Sequence, residues 1–309
     1  MHRIAYTAGW LAYHIMRKQR RIALANLDSA FGNTKSLAEK QRIARISFQN
    51  FAATILGHFW SPRLGADTLG QVAEIDPQNL EFVRQIHARG KGIILITLHH
   101  GNWELLGLAI GWYGMPMTIV SRTMRNAALE TMFYRLRAQS GHQIISSHRA
   151  LITLFKTVKH GGTVALLIDQ QVPTTLGGIW VEFFGIASLT TSAVAHLALR
   201  SGAAIVGAVA HPLPDGRCRV VFGPEIDSKS TGNEEADIHA ITQRCMNFCE
   251  QVVREQPEYW LWSYKRWKHS PTMDLTGYPF YTCPPYPKGT VSGSSTGGIP
   301  SSSAPPQDG

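Results

Sequence analysis

Between Gly92 and Ala210 the chain alternates between two textures. Short continuous apolar runs, "GIILITL", "MTIVS", "TVALLI" and "AAIVGAVA", read as strands buried on both faces. Between them lie segments with helical spacing: Trp103–Tyr113, Asn126–Ser140, Arg149–His160 (stopped by Gly161 and Gly162) and Thr190–Arg200. Strand and helix in alternation predict an α/β fold, a mostly parallel central sheet flanked by helices on both faces. Upstream, Ser36 and Glu39 form a capping-box pattern. Behind them Leu37, Ile43, Ile46, Phe51, Ile55 and Phe59 recur at roughly helical spacing, predicting an amphipathic helix to about Trp60. A last long helix is predicted from about Glu234 to Gln256, and there is no internal repeat.

One strand ends unusually. In "LITLHHGNWELLG" an apolar run climbs to His99 and His100, turns at Gly101 and Asn102, and restarts with Glu104 behind it. Ligand sites of parallel sheets lie beyond the carboxyl ends of strands, which is where His99 stands. On one continuous helix the H-x-x-x-x-E spacing would hold the two side chains roughly 140° apart. Across a strand–turn–helix corner they can meet. Gly101 permits the turn, Asn102 suits an N-cap, and Glu104 falls in a first helical turn that favours its ionised form. Two readings follow: a His99 base supported by Glu104, or a helix cap with space-filling histidines. The spacing is weak by itself, since His269 and Asp274 repeat it with no strand before them. Alternation along a strand sends neighbours to opposite sides, so only one of His99 and His100 can face a given cleft.

No serine elbow occurs within the folded part, no H-E-x-x-H zinc pair and no phosphate loop; Gly293–Gly297 matches G-x-S-x-G only inside a low-complexity tail. A histidine base without a protein nucleophile points to deprotonation of a substrate hydroxyl, which then attacks an activated carbonyl directly. Neither a metal nor another cofactor is expected.

Charge narrows the partners. Lys and Arg total 30 against 21 Asp and Glu, a net charge of +9. That suits phosphate, an acidic carrier protein, nucleic acid or an anionic membrane. The four cysteines are irregularly spaced, without a C-x-x-C, and suggest neither a metal cluster nor a disulfide framework; Cys245 and Cys249 read as small core residues. No apolar stretch reaches the roughly 18 residues of a spanning helix. At the N-terminus Ile4, Tyr6, Trp10, Leu11, Tyr13, Ile15 and Met16 precede Arg17, Lys18, Arg20 and Arg21. Residues 1–25 therefore read as a membrane-associating helical segment at an anionic surface, the alternative being an ordinary first helix. Residues 26–288 form the main domain. From 289 to 309 the chain is mostly Ser, Gly, Pro and Thr and is expected to be disordered.

"LHHGNWELLG" resembles the H-x4-[DE] block of the bacterial lipid A biosynthesis acyltransferases, within the lysophospholipid acyltransferase superfamily. Three further blocks resemble that family in order: "SRTMRNAALETMFYRLRAQSG", "ALLIDQQ" with "VEFFGIASLTTSAVAHLALRSGA", and "YWLWSYKRWK", together spanning about Asn26 to Lys268. The resemblance implies a glycerolipid-acyltransferase-like fold and transfer of a fatty acyl chain from a thioester, acyl-carrier protein or acyl-CoA, to a hydroxyl of a membrane glycolipid or lipid A precursor. Members of that family often start with a spanning helix; the N-terminal segment here is short and interrupted by His2, Arg3 and His14, and its aromatic-aliphatic residues beside a basic cluster give the expectation of a peripheral or monotopic protein on the cytoplasmic face of the bacterial inner membrane. His99 matches the general base and Glu104 its partner, while His100 stands where relatives usually carry an apolar residue. Arg122 matches an arginine near the site, suited to an oxyanion or phosphate, and Asn126 closes the same block. Asp169 and Gln170 match a pair that shapes the site. Phe184 and Gly185 match a block near the acyl pocket, with plain core as the alternative for Phe183 and Phe184. Arg266 and Lys268 are candidates for holding an anionic head group, with a solvated basic face as the alternative.

Competing classes are a lipid esterase, in which His99 activates water, and a non-catalytic membrane-binding or nucleic-acid-binding homologue. No nucleic-acid fold signature is present.

Overall fold

In a computed structural model the described residues are 2–121, 126–146 and 150–285; Arg122 and the low-complexity tail lie outside them. Helices α1 (His2–Ile15), α2 (Arg17–Phe31) and α3 (Leu37–Trp60) come first. They are followed by β1 (Ala73–Ile75), α4 (Pro77–Ala88), β2 (Ile93–Thr97), α5 (Trp103–Trp112), β3 (Met117–Ser121) and α6 (Ala127–Ala138). Then come β4 (Gln143–Ser146), α7 (Ala150–Lys159), β5 (Thr163–Leu167), β6 (Gly178–Phe183) and β7 (Ile186–Thr191). The order ends with α8 (Ala193–Ser201), β8 (Ala204–Pro212), β9 (Cys218–Ile226) and α9 (Glu234–Glu255).

Seven strands form one sheet in the order β1-β9-β8-β2-β5-β3-β4. Every pair is parallel except β8–β9, and β6–β7 is a separate antiparallel hairpin. The expected α/β class holds. All four expected strands are present, with β1, β4, β6, β7 and β9 in addition. The expected helix from Thr190 starts later, at Ala193, because Thr190 and Thr191 finish the hairpin.

The central strand β2 shows why continuous apolar runs appear. Ile94, Ile96 and Leu98 pack into a core shared with α2, α3, α8 and α9, whereas Ile93 and Leu95 face α4 and α5. Both faces are covered, so no polar alternation is needed. The Ser36 capping box forms as expected, with Glu39 reaching back to the Ser36 backbone at 2.8 Å. The first helix is firmly seated. Gly9 lets α1 lie against α3 so closely that a Cβ there would stand 2.4 Å from the Gln49 Cα. Tyr13 meets Phe48 edge-on at 5.7 Å.

Candidate active site

The sheet register builds the site. In the parallel β2–β5 pair Thr97 is opposite Leu167, so the residues two steps beyond, His99 and Asp169, emerge side by side. Asp169 Oδ1 accepts from His99 Nδ1 at 2.8 Å. Its Oδ2 accepts the His99 backbone N–H at 2.9 Å and the Trp260 indole N–H at 2.9 Å. Asp169 is fully buried. Burial works to raise its pKa, but the His99 and Trp260 partners outweigh it and hold the carboxyl below the ordinary range. An ionised carboxylate at Nδ1 requires the imidazole proton there, which leaves the Nε2 lone pair free. Gln170 faces that edge, its side-chain nitrogen 3.4 Å from Nε2. The Trp103 ring stands edge-on to the imidazole at 5.2 Å.

The expected pairing of His99 with Glu104 is not made. The first turn of α5 directs Glu104 towards α6, where Arg137 occupies both its oxygens, Nη2 at 2.6 Å and Nε at 3.0 Å. Arg137 Nη1 donates to Ser121 at the end of β3, 3.2 Å away, and His58 Nε2 lies 3.6 Å from Glu104. Burial works to raise the Glu104 pKa; Arg137, with His58 and His99 nearby, overturns that and lowers it. Burial likewise opposes charge on Arg137, and Glu104 more than offsets it. A charged guanidinium, part-exposed and locked by a bidentate partner, thus stands at the end of β3. Asn102 does cap α5, accepting the Leu105 N–H at 3.0 Å.

His100 takes the opposite direction. It is fully buried, with Nε2 donating to the Gln256 carbonyl at 2.8 Å, and desolvation pushes its pKa down to about 3. It remains a neutral tie to the end of α9.

The loop carrying the histidines is gripped from two sides. The closing aromatic segment runs beside it: Leu261 N–H donates to His99 O at 3.0 Å and Gly101 N–H to Tyr259 O at 3.1 Å. From α3, Asn50 and Thr54 both donate to Gly101 O, at 2.9 and 3.1 Å. Gly101 has φ +59°, and a Cβ there would fall 1.9 Å from the Ala210 carbonyl oxygen. Only glycine fits. Beside this loop a mostly apolar cavity of about 220 Å³ opens between α1, α3 and α5, lined by Tyr6, Trp60, Leu64, Leu105 and Leu108, with Asn50, His58 and Arg217 also on its wall.

Several expected site residues stand elsewhere. Arg266 is fully buried and cannot hold a head group: its guanidinium donates to Leu189 O at 2.7 Å, to Ser188 at 3.0 Å and to Thr190. It is the hydrogen-bonding post beneath β7. Lys268 is exposed and Asn126 caps α6, accepting the Leu129 N–H at 3.1 Å. Phe184 sits in the hairpin turn at φ 58°, packed against Phe31 and Phe183, with exposed Gly185 next to it. Arg137 and Trp260 were not singled out from sequence; both lie inside blocks whose patterns gave no hint of which neighbour they would meet. Among the described residues no group of His, Cys, Asp or Glu could hold a metal ion, and no helix is long and apolar enough to cross a membrane.

Comparison with known proteins places this geometry. Residues 1–269 match the model of the bacterial lipid A biosynthesis acyltransferase family. The chain is 24% identical over 281 residues to the lipid A biosynthesis lauroyltransferase of Escherichia coli, covering 88% of this chain and 86% of that one. It is 23% identical over 278 residues to the palmitoleoyltransferase of the same organism, covering 87% and 85%. It is also 23% identical over 229 residues to the phosphatidylinositol mannoside acyltransferase of Mycolicibacterium smegmatis, covering 73% and 72%. With its histidine at the end of β2 and a match running almost the length of the chain, this protein belongs to the bacterial lipid A biosynthesis acyltransferase family and is an O-acyltransferase.

Proposed function

We propose that the protein transfers a fatty acyl chain from an acyl thioester, carried by acyl-carrier protein or coenzyme A, to a hydroxyl of a membrane glycolipid or lipid A precursor. The observation that carries the reading is the His99–Asp169 pair, which leaves Nε2, faced by Gln170, as a proton acceptor at the carboxyl ends of two adjacent parallel strands. His99 Nε2 takes the proton of the acceptor hydroxyl as its oxygen attacks the thioester carbonyl carbon. Asp169 stabilises the imidazolium that forms. The tetrahedral oxyanion then collapses, the C–S bond breaks, and the thiolate leaves with the proton from His99. No acyl-enzyme is required.

Arg137 is the charged group for the oxyanion or for a phosphate of either substrate, with Glu104 as its positioning residue. Gln170 occupies the place the incoming hydroxyl must take and turns aside when it binds. The 220 Å³ cavity suits hydrocarbon; an apolar cavity of ~150 Å³ takes a six-carbon ring, so this one has room for part of an acyl chain.

The protein is read as peripheral on the cytoplasmic face of the inner membrane. Ile4, Leu11 and Ile15 are exposed on α1, and Arg17, Lys18, Arg20 and Arg21 follow directly. That is the composition of an interfacial helix at an anionic surface. The functional test is comparative lipid mass spectrometry of cells with and without the gene. One glycolipid should lose a single acyl chain; an unchanged lipid profile would sink the proposal.

A further inference from the structure

The hairpin tip "VEFFG" and the closing "YWLWSYKRWK" converge on one side chain, Trp260. It is buried, and its indole has neighbours of two kinds. The N–H donates to Asp169 Oδ2 at 2.9 Å. The ring faces Phe183, the last residue of β6, at 5.4 Å and Trp262 at 4.6 Å. Its backbone forms an antiparallel bridge with His100, and Ser47 of α3 donates to its carbonyl.

Phe183 is held in turn. It is fully buried, with the Arg266 guanidinium 5.5 Å from its ring and the Trp267 ring at 5.9 Å. Arg266 is hydrogen-bonded to Ser188, Leu189 and Thr190 of β7, and β7 carries β6 in register, with Phe183 opposite Ile186. At the tip the Phe184 N–H donates to Glu250 of α9 at 2.5 Å. The indole is therefore braced from behind by packed groups. A carboxylate turns about its side-chain bonds unless both oxygens are held. Oδ1 serves the imidazole, and Oδ2 takes two N–H groups. One of those, the His99 backbone, belongs to the base's own loop. The indole is the donor anchored elsewhere, on α3 and the hairpin.

We propose that Trp260 is a positioning residue of acyl transfer: its indole N–H sets the orientation of Asp169, and through it that of the His99 imidazole, while Phe183 and Arg266 brace the indole. The kinetic consequence rests on the acyl-transfer reading; the placement of the carboxylate does not.

The indole also draws charge from Asp169. Without it the carboxylate would hold an imidazolium more tightly, so the acid limb of the rate profile should move to higher pH. The other titratable groups facing Asp169 are His100 at the end of β2, Cys249 on α9 and Arg266. His100, with a pKa of about 3, and Cys249, raised by burial above the ordinary thiol range, stay neutral near neutral pH. The limb therefore reports the His99–Asp169 pair.

The test is Trp260→Phe, which keeps a ring against Phe183 and removes the N–H. Single-turnover acyl transfer followed across pH should show a plateau rate on the order of tenfold lower and an acid limb raised by roughly half a unit to one unit. Phe183→Leu should cost less, and its loss should largely vanish in the Trp260→Phe background, because both act through one N–H. A plateau within twofold of wild type with an unmoved limb, whatever the melting temperature, makes Trp260 a core residue only and overturns the proposal; fully additive losses overturn the bracing. If Trp260→Phe does not fold, the wild type decides. In protein carrying isotope-labelled tryptophan, the furthest-downfield indole proton, that of the N–H on the carboxylate, should titrate in the wild type and not in His99→Ala; an indole spectrum unmoved by pH overturns the proposal. A wild type that transfers no acyl chain would count against the acyl-transfer reading instead, and the indole titration would still decide the placement.

Discussion

Replacing Asp169 with Asn changes one atom and should nearly abolish activity. Asp169 Oδ2 accepts two N–H groups, from the His99 backbone and from Trp260, each at 2.9 Å. An amide must keep its oxygen there, since turning its NH2 to that side would set donor against two donors. The NH2 then faces His99 Nδ1, where Oδ1 accepted at 2.8 Å. Nδ1 has to become an acceptor, and the ring proton moves to Nε2. The base is lost although the ring stays in place. A wrong tautomer imposed in this way costs roughly 10⁴ in rate, about 5 kcal/mol of transition-state stabilisation. Glu104→Gln leaves the His99 tautomer alone and weakens only the Arg137 fork, so it should cost less, on the order of 10–10²-fold. The assay is single-turnover acyl transfer at saturating thioester, with circular dichroism to establish folding. A folded Asp169→Asn variant within tenfold of wild type would refute this account of the pair, as would a Glu104→Gln variant slower than Asp169→Asn.

Other consequences follow from the same structure. His100 has a folded-state pKa of about 3 against about 6.5 unfolded, so the unfolded chain binds the proton first; its contribution is intact above about pH 6.5 and is lost as pH falls towards 3, with about 2–3 kcal/mol gone by pH 4.5. Denaturant melts at pH 7.5 and 4.5 should show that loss, reduced in His100→Phe, and equal stability at both values would contradict it. Arg266→Leu should lower stability by about 2–4 kcal/mol, because Ser188, Thr190 and the Leu189 carbonyl lose a buried partner; a change confined to KM with an unaltered melting temperature would restore the head-group role. Gly101→Ala should disrupt the histidine loop through the collision with Ala210, cutting activity by on the order of 10² or more; wild-type turnover would show that the loop tolerates a Cβ.

The sequence disclosed the strands that are buried on both faces, because their apolar runs need no neighbour to be recognised. β4 and β9 escaped notice: the first is short and part-exposed, and the second alternates in burial where it lies between β1 and its antiparallel neighbour β8. The site was legible in its types and not in its pairings. His99, Asp169 and Glu104 each announced themselves as polar residues just past an apolar run. Which carboxylate meets the imidazole depends on β5 lying next to β2, a matter of strand order that local spacing does not encode. Arg266 misled for a related reason. A basic cluster between tryptophans looks like a solvent-facing grip until the hairpin beneath it is known to need three hydrogen bonds.

The central claim is that His99, with no nucleophile of its own on the protein, activates a lipid hydroxyl towards a thioester. Incubating purified protein with a radiolabelled acyl thioester and extracted bacterial membrane lipid tests it most directly. The account predicts label in a glycolipid for the wild type and a loss of roughly 10²–10⁴ in that rate for a folded His99→Ala variant. Label appearing only as free fatty acid, or transfer surviving undiminished without the imidazole, would contradict it.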